Sequence, residues 1–295
     1  MVHHTKCLLC DSGDFIQHAR CKDYFLSMEE FILFKCTACG FIFTQDHPDE
    51  KDAGKYYDSE DYISHYDSVT GFSNRLYRFS RSIMLGKKKR IVKKLTELKT
   101  GRLLDIGSGT GHFLAAMKNA GWNAKGIEIN DKAREFSIAR FGLEVLLPEK
   151  ISNLDPESFD CITLWHVLEH FQDPVEYAAS IWHLLKPNGV CIVALPNCSS
   201  YDAAHFGSFW AAWDVPRHLW HFTPETFGKF SEKTGFKLAR IRSLPLDVFY
   251  ISILSKKYKG SKMHFISGIL KGLWFSIITL FNKLKSSSLI YILRK

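Results

Sequence analysis

The feature that most constrains the fold is a glycine-rich turn near the middle of the chain. Arg102–Ile106 is a short, largely apolar run before the turn, and apolar residues recur at helical spacing from His112 onward. This pattern predicts a strand, a turn and a helix. Gly107, Gly109 and Gly111 let the backbone of the turn lie directly against a ligand, which the first amides of the helix also face.

Two acidic residues indicate the kind of ligand. The glycines are spaced G-x-G-x-G, whereas the dinucleotide-binding fingerprint is G-x-G-x-x-G. Asp105, directly before the turn, would repel a pyrophosphate but suits a ligand with an amino group and a sulfonium. Glu128 lies 21 positions after Gly107 in a second predicted strand, residues 123–129, where an acid can accept both hydroxyls of a ribose.

Four motifs follow one another within residues 86–243. They read D-I-G-S-G-T-G-H-F, G-I-E-I-N, F-D-C-I-T-L-W-H-V-L-E-H-F-Q-D-P and L-L-K-P-N-G-V-C-I-V-A-L-P-N. In content and order they resemble the class I S-adenosylmethionine-dependent methyltransferases. The resemblance implies an α/β fold with a doubly wound, seven-stranded, mostly parallel sheet, and S-adenosylmethionine as the cofactor.

The resemblance also implies the cofactor-binding residues. Asp105 and the three glycines would hold the methionine part of the cofactor, and Glu128 would hold its ribose. The loop over residues 165–170, which follows the fourth predicted strand of the sheet, would lie beside the sulfonium. The complete predicted set is Asp105, Gly107, Gly109, Gly111, Glu128, Ile129, Trp165 and His166.

Four of the eight cysteines form two C-x-x-C pairs, Cys7 with Cys10 and Cys36 with Cys39. Four thiolates from two such turns can close a tetrahedral structural Zn²⁺ site. The 25 residues between the pairs leave room for a hairpin of residues 31–34 and 41–43. We therefore predict an N-terminal zinc ribbon whose metal serves folding. The alternative is four reduced cysteines in a small core.

Composition and charge set outer limits on fold and partners. A chain of 295 residues with 46% hydrophobic residues has room for one α/β domain and an appendage. A net charge of +8 and a pI near 9.0 fit an anionic partner, such as nucleic acid, anionic lipid or a nucleotide-linked substrate. No secretory signal is visible, so the expected location is cytoplasmic, with membrane association left open.

The chain divides into four predicted parts: a zinc ribbon (1–45), a tyrosine-rich segment (46–85), the cofactor-binding core (86–243), and a hydrophobic helical insertion with a last strand (244–295). Segment 46–85 looks similar to the stretch before the cofactor motif in zinc-ribbon methyltransferases of bacterial glycan clusters. It is either a lid over cofactor and acceptor or a connector whose aromatic residues pack on the core. The lid would use Tyr56, Tyr57, Tyr62 and His65.

Two patterns invite other functions. Residues 86–95 are rich in lysine, but their apolar residues fall at helical spacing, which favours an amphipathic helix with its lysines in water over a nucleic-acid site. Residues 166–170 match the H-x-x-E-H motif of zinc proteases. Such a protease needs the motif on a long helix, and here it follows the apolar strand Phe159–Trp165. We therefore reject the protease assignment.

The other strands and helices follow from the same periodicities. We predict a helix over Asp131–Phe141, a strand over 143–147 and a helix over 174–185. A turn at 186–189 is expected to lead into a fifth strand over 190–195, with further strands at 237–242 and 287–293.

Residues 196–222 form the predicted acceptor side, because they are aromatic, lack a clear period and are too long for a simple connection. Transfer of a sulfonium methyl group is an in-line displacement that needs a positioned nucleophile, a proton acceptor and a dry pocket. We predict His221 or His218 as the base, with His166 third; for each, a structural hydrogen-bonded role is the alternative. The predicted acceptor-binding residues are Tyr57, Tyr62, Trp213 and Arg217, with Arg217 holding an anionic group.

Residues 263–284 are largely apolar but too interrupted for a spanning helix. Core or dimer packing is favoured, and a cover over the acceptor pocket or a peripheral contact with anionic lipid remains open.

Three functions remain. The first is methylation of a small-molecule acceptor, such as a sugar, a glycan or a lipid-linked intermediate. The first alternative is an rRNA or tRNA methyltransferase, which the positive charge and the zinc ribbon support but the absence of an (N/D)-P-P-(Y/F) signature after the strand over 159–165 opposes. The second is a non-catalytic cofactor-binding scaffold. We do not expect a nucleic-acid partner.

Overall fold

The structure, a computed structural model, describes residues 1–57 and 72–295. The chain forms two compact units. The first unit comprises Met1–Tyr57, His166–Val175 and Val193–Ile292, and the second comprises the described parts of Asp58–Trp165, Glu176–Ile192 and Leu293–Lys295. The predicted cofactor turn belongs to the second unit, and the paired cysteines belong to the first.

The described secondary structure alternates between strands and helices along most of the chain. The strands are β1 (Phe15–Lys22), β2 (Glu30–Cys36), β3 (Ile42–Gln45), β4 (Arg102–Ile106), β5 (Asn123–Ile127), β6 (Glu144–Leu146), β7 (Phe159–Trp165), β8 (Leu185–Pro196), β9 (Trp220–His221), β10 (Lys237–Leu244) and β11 (Ser288–Arg294). The α-helices are α1 (Glu50–Ala53), α2 (Phe72–Thr96), α3 (His112–Lys118), α4 (Asp131–Phe141), α5 (Pro174–Leu184), α6 (Tyr201–Phe206), α7 (Pro224–Lys233), α8 (Asp247–Tyr258) and α9 (His264–Ile278).

Seven strands form one sheet in the order β10-β11-β8-β7-β4-β5-β6. β4 pairs in parallel with β5 and β7, and β5 pairs in parallel with β6. Strand β4 therefore lies inside the sheet, with β7 on one side and β5 on the other, and the chain builds outward in both directions, as in doubly wound folds. The predicted fold class is confirmed, and β4, α4 and β7 have the predicted bounds.

The turn predicted at 186–189 is wrong, because β8 begins one position before it. Lys186 Nζ donates to Asp160 Oδ1 of β7 at 2.6 Å, and the carbonyl of Asn188 accepts from Arg294 of β11 at 3.1 Å. Partners on both neighbouring strands thus hold this polar stretch extended, which no local pattern of the sequence indicates.

An antiparallel sheet of β1, β2, β3 and β9 lies in the first unit. The predicted hairpin is confirmed, with Phe34 of β2 paired with Phe43 of β3. Trp220 and His221 pair with Phe43 and Ile42, so the predicted acceptor segment ends as a strand of the sheet that carries a cysteine pair.

Buried polar side chains hold the predicted acceptor segment in place. Asp202 Oδ2 accepts from Trp210 Nε1 at 2.7 Å and from Ser287 Oγ at 2.6 Å. Asn197 Nδ2 donates to two backbone carbonyls before β11, both at 2.9 Å. These bonds satisfy groups that would be costly to bury alone. The segment leads into α7, whose N-terminus is capped by the Thr223 side chain.

The apolar insertion forms the helix pair α8 and α9. A Cβ atom at Gly268 would lie 2.5 Å from Ile253 Cα, and one at Gly272 would lie 2.7 Å from Phe249 Cδ1. Glycine at these two positions is therefore what allows α9 to approach α8 so closely. Among the described residues, no helix combines the length and apolar character needed to cross a membrane.

The glycine turn gives a test of the packing around α3. Gly111 has φ +75°, and a Cβ there would lie 2.6 Å from Ser137 Cβ and 2.7 Å from Leu143 Cδ1, whereas Gly109 has φ +54° and open space around it. We expect Gly111→Ala to lower the free energy of unfolding by about 2–4 kcal/mol, and Gly109→Ala by only about 1 kcal/mol of backbone strain. Urea unfolding of both variants measures the difference. Equal losses would contradict the steric explanation.

Candidate functional site

Two buried acids flank the glycine turn of the second unit. Asp105, at 2% exposure, accepts a hydrogen bond from Thr163 Oγ1 through Oδ1 at 2.5 Å. Glu128 accepts from the backbone N–H of Gly109 at 2.7 Å and from that of Asn130 at 2.8 Å, one on each carboxylate oxygen. The structure thus brings the predicted acids and the turn together.

Burial makes both acids reluctant to ionise. It raises the pKa of Asp105 to about 7, although the Thr163 hydrogen bond and the positive charge of Lys88 oppose the shift. Burial also raises the pKa of Glu128, against the backbone N–H groups that bond its carboxylate. The ionised form of a buried carboxyl group is stabilised when a cation binds beside it, so the surroundings of the two acids favour a positively charged ligand.

Lys88 lies in this part of the second unit. Its Nζ is 4.4 Å from the centre of the Trp165 ring and 5.9 Å from that of Phe113. The prediction that the lysines of this helix point into water is therefore wrong for Lys88. The indole face and the charge of Asp105 attract the ammonium, and the surroundings of the turn accommodate a cation.

The other predicted cofactor residues differ in exposure. Ile129 is 72% exposed and Trp165 is 9% exposed. Trp165 Nε1 and, in the turn itself, Ser108 Oγ are buried and have no hydrogen-bond partner within the described part of the chain. Unsatisfied buried polar atoms of this kind are rare in proteins, and they fit a site that takes a polar ligand.

In the first unit, titratable side chains surround a buried glutamate. We refer to His166, Glu169, His170, Asp214 and His218 as the Glu169 cluster. Glu169 is 1% exposed, and among the described residues neither of its carboxylate oxygens has a hydrogen-bond partner. His218 Nε2 is 3.9 Å from Glu169 Oε1 and 3.8 Å from Asp214 Oδ2. Donor atoms of Glu169, His170 and His218 lie within 4.8 Å of one another, so the cluster can share a proton or hold a cation.

His166 is held between two carboxylates. Its Nε2 is 3.0 Å from Asp247 Oδ2, and its Nδ1 is 3.5 Å from Glu169 Oε1. Burial lowers the pKa of His166, but the two carboxylates outweigh burial and raise it to about 9. The imidazole is therefore protonated at neutral pH. Its backbone has φ +60°, a strained conformation for a residue other than glycine.

The two histidines predicted as bases have different partners. His218 Nδ1 is 2.9 Å from the carbonyl of Ala212 and therefore donates to it, which leaves the lone pair on Nε2. Thr44 donates its hydroxyl to the carbonyl of His218 at 2.7 Å, so His221 Nε2, at 3.1 Å, must donate to Thr44. Burial lowers the pKa of His221 well below its usual value, and this ring is neutral.

Arg217, predicted to hold an anionic acceptor group, lies inside the first unit at 4% exposure. Its Nη2 bonds Asp23 Oδ1 at 3.0 Å and Asp214 Oδ1 at 2.7 Å. Its Nη1 donates to the carbonyl of Tyr56 at 3.2 Å. The guanidinium thus neutralises two carboxylates of the protein, and contact with an acceptor remains a prediction.

The aromatic residues predicted to bind the acceptor are divided. Tyr57 Oη is 2.9 Å from Nδ1 of His170, which joins Tyr57 to the Glu169 cluster. Trp213 is buried, and its Nε1 donates to the carbonyl of Gly207 at 2.9 Å. Tyr62, and with it His65 of the predicted lid, lies outside the described residues.

The four paired cysteines converge. Cys7 Sγ is 3.4 Å from Cys39 Sγ, Cys10 Sγ is 3.5 Å from Cys36 Sγ, and all four sulfurs lie within 4.8 Å of one another. Such spacing suits four thiolates around one tetrahedral metal ion. Cys21 is buried elsewhere in the first unit, and burial raises the pKa of its thiol to about 12.

Several site residues gave weak signals in the sequence. Glu169 and His170 belong to the H-x-x-E-H pattern, and the short 3-10 helix over Leu168–His170 agrees with the rejection of a long protease helix. Asp247 lies 81 positions from the histidine that it contacts. Lys88 was one lysine among several on an amphipathic helix. Their roles depend on contacts that no local pattern specifies.

Comparison with known proteins gives the family. Residues 78–241 match the family described as "Methyltransferase domain". The ubiquinone biosynthesis O-methyltransferase of Ralstonia nicotianae is 28% identical over 157 residues, which cover 48% of this chain and 66% of that protein, just under two thirds. The enzyme of the same name from Thiobacillus denitrificans is 30% identical over 167 residues, covering 50% of this chain and 71% of that protein.

Solved structures agree in fold. A SAM-dependent methyltransferase from Archaeoglobus fulgidus has a TM-score of 0.51 at 20% identity, covering 73% of this chain and 94% of that one. The 1,6-didemethyltoxoflavin-N1-methyltransferase of Burkholderia thailandensis has a TM-score of 0.52 at 15% identity, covering 88% and 97%. With the matching motifs and the strand order of the sheet, these findings show that the chain belongs to the methyltransferase domain family.

Proposed function

We propose that this chain transfers a methyl group from S-adenosylmethionine to a small-molecule acceptor, namely a sugar, a glycan or a lipid-linked intermediate. The observation that carries the proposal is the buried Asp105 beside an intact glycine turn, in a chain of the methyltransferase family. The carboxylate lacks full compensation by the protein, and a sulfonium nucleoside with an amino group would supply the missing positive charge.

The residues of the second unit fit this cofactor. The ammonium of Lys88 contacts the Trp165 ring. A positive charge is therefore compatible with the surroundings of Asp105, as cofactor binding requires. Asp105 and the glycine turn would hold the methionine part, and Glu128 would hold the ribose. When bound, the cofactor supplies a methyl group that is already activated on a sulfonium.

The relatives favour a small acceptor over RNA. Those reported above are named for the biosynthesis of ubiquinone, a small molecule, and as O-methyltransferases. The sugar or glycan part of the proposal rests on the resemblance of residues 46–85 to methyltransferases of glycan clusters. The lipid-linked part is supported by the exposed apolar surface of α9.

Of the three candidate bases, the geometry favours His218. Its Nε2 has a free lone pair, and Glu169 and Asp214 would stabilise the imidazolium that forms when Nε2 accepts the acceptor's proton. His166 is already protonated between its two carboxylates and would instead balance the charge of Glu169. His221 is neutral but donates its Nε2 proton to Thr44.

Cofactor affinity should depend on pH through Asp105. The cation binds the ionised carboxylate, and with a pKa of about 7 its ionised fraction rises from about one tenth at pH 6 to about nine tenths at pH 8. Calorimetry with S-adenosylmethionine should therefore give a Kd about tenfold lower at pH 8 than at pH 6. Asp105→Asn should bind more weakly and lose this dependence. An unchanged pH profile in the variant would contradict the role of Asp105.

Turnover tests both the proposed function and the base. The purified protein, supplied with cell extract as the source of the acceptor, should convert S-adenosylmethionine to S-adenosylhomocysteine. His218→Ala should lower the rate of this conversion at least about tenfold and leave the affinity for the cofactor unchanged. His183→Ala, at an exposed position of α5, is the matched control and should keep the rate. An unaffected His218 variant would exclude the base assignment, as would a requirement for a divalent cation. Cofactor binding without turnover in the wild type would instead indicate a scaffold.

We further propose that Cys7, Cys10, Cys36 and Cys39 hold one structural Zn²⁺ ion. Purified protein that was never exposed to a chelator should contain about one equivalent of zinc. Cys36→Ser should lose most of that metal and unfold more readily, because the ion links the two ends of the β1–β2 hairpin. Cys21→Ala should retain the zinc. Less than half an equivalent in the wild type would favour four reduced thiols.

A further inference from the structure

The outer face of α9 has an unusual composition. Every exposed residue from position 265 to 281, on α9 and in the turn after it, is large and apolar, while serine, threonine and lysine occupy half-buried positions. We refer to these exposed residues as the α9 face. They are Phe265, Ile266, Ile269, Leu270, Leu273, Trp274, Ile277, Leu280 and Phe281.

The opposite side of the helix is occupied by α8. Gly268, Gly272 and Phe275 are buried, and the two glycines lie against Ile253 and Phe249. The α9 face therefore points away from the helix that α9 packs on. Trp274 remains 56% exposed, in contrast to the usual arrangement in which an amphipathic helix buries its apolar side. An exposed patch of this size marks a contact surface.

The positive charge around the α9 face favours an anionic partner. Residues 248–295 contain nine lysines and arginines and no aspartate or glutamate. Exposed Lys257, Lys259 and Lys262 precede α9, and exposed Lys283 follows it, so cations lie at both ends of the apolar face. In a symmetric dimer through this face, these acid-free segments would meet only one another. An anionic lipid surface offers hydrocarbon to the apolar residues and negative headgroups to the lysines.

We propose that the α9 face docks on an anionic lipid bilayer, with α9 lying along the membrane surface. The face would insert between the headgroups, and the flanking lysines would contact phosphate groups. Helix α8 carries this surface and begins at Asp247, which bonds His166 of the Glu169 cluster. If the function proposed above holds, the same helix pair would bring that cluster to a lipid-linked acceptor.

Vesicle flotation tests the docking without any methyl donor. The full chain should float with vesicles of phosphatidylcholine and about 25% phosphatidylglycerol, at least about tenfold more than with phosphatidylcholine alone, and less as salt screens the lysines. Leu270→Glu with Trp274→Glu should reduce flotation at least about tenfold. Ile16→Glu with Ile138→Glu changes the charge equally at exposed apolar positions elsewhere and should float like the wild type.

The outcomes distinguish docking from catalysis and from self-association. Wild-type protein that stays with the non-floating fraction, or equal flotation of both double variants, overturns the proposal. The α9 face is assigned to a second copy of the chain instead if light scattering shows a stable dimer that does not float with vesicles. The Leu270 and Trp274 substitutions should then dissociate that dimer. Calorimetry with S-adenosylmethionine on the same samples separates these results from a failure of the proposed function, since cofactor binding does not require lipid.

Discussion

A buried carboxylate near the end of strand β4 sets the main constraint on the second unit. Asp105 follows Leu104 and precedes Ile106, both fully buried, and among the residues that the structure describes its hydrogen-bond donor is Thr163. A charge in such a place is stable only beside a cation. The glycine turn directly after β4 leaves space for a ligand, and Lys88 brings the chain's own positive charge to the same pocket. Strand β4, the glycine turn and α3 thus surround a carboxylate whose ionised form requires a nearby positive charge.

The Glu169 cluster meets a similar requirement by different means. Burial works to raise the pKa of Glu169, yet the contact with the protonated His166 holds it below its usual value. His166 supplies a cation, and its strained backbone places the ring between Glu169 and Asp247. The strain is tolerated because two ionic contacts fix the ring. The cluster therefore keeps a charged glutamate away from water next to His218, whose free nitrogen can accept a proton.

How much of this could be predicted depends on the range of the interactions. The turn after β4 and the two cysteine pairs arise from residues close in sequence, and their patterns are sufficient to predict them. The early start of β8 and the contact between His166 and Asp247 depend on residues far along the chain. Arg217 illustrates the difference, because an arginine beside predicted catalytic histidines suggests an anion site, whereas Asp23, from another part of the chain, engages its guanidinium.

The α9 face shows why an apolar stretch alone does not specify its surroundings. Large apolar residues occur all around α9, so the hydrophobic pattern fits a core helix, a dimer interface or a lipid surface equally well. The small residues distinguish the two sides of α9. Gly268 and Gly272 can lie on the side against α8 because only a residue without a side chain fits there, and this leaves the bulky residues on the other side. The position of glycine, together with the absence of acids after Asp247, therefore carries the information that total hydrophobicity lacks.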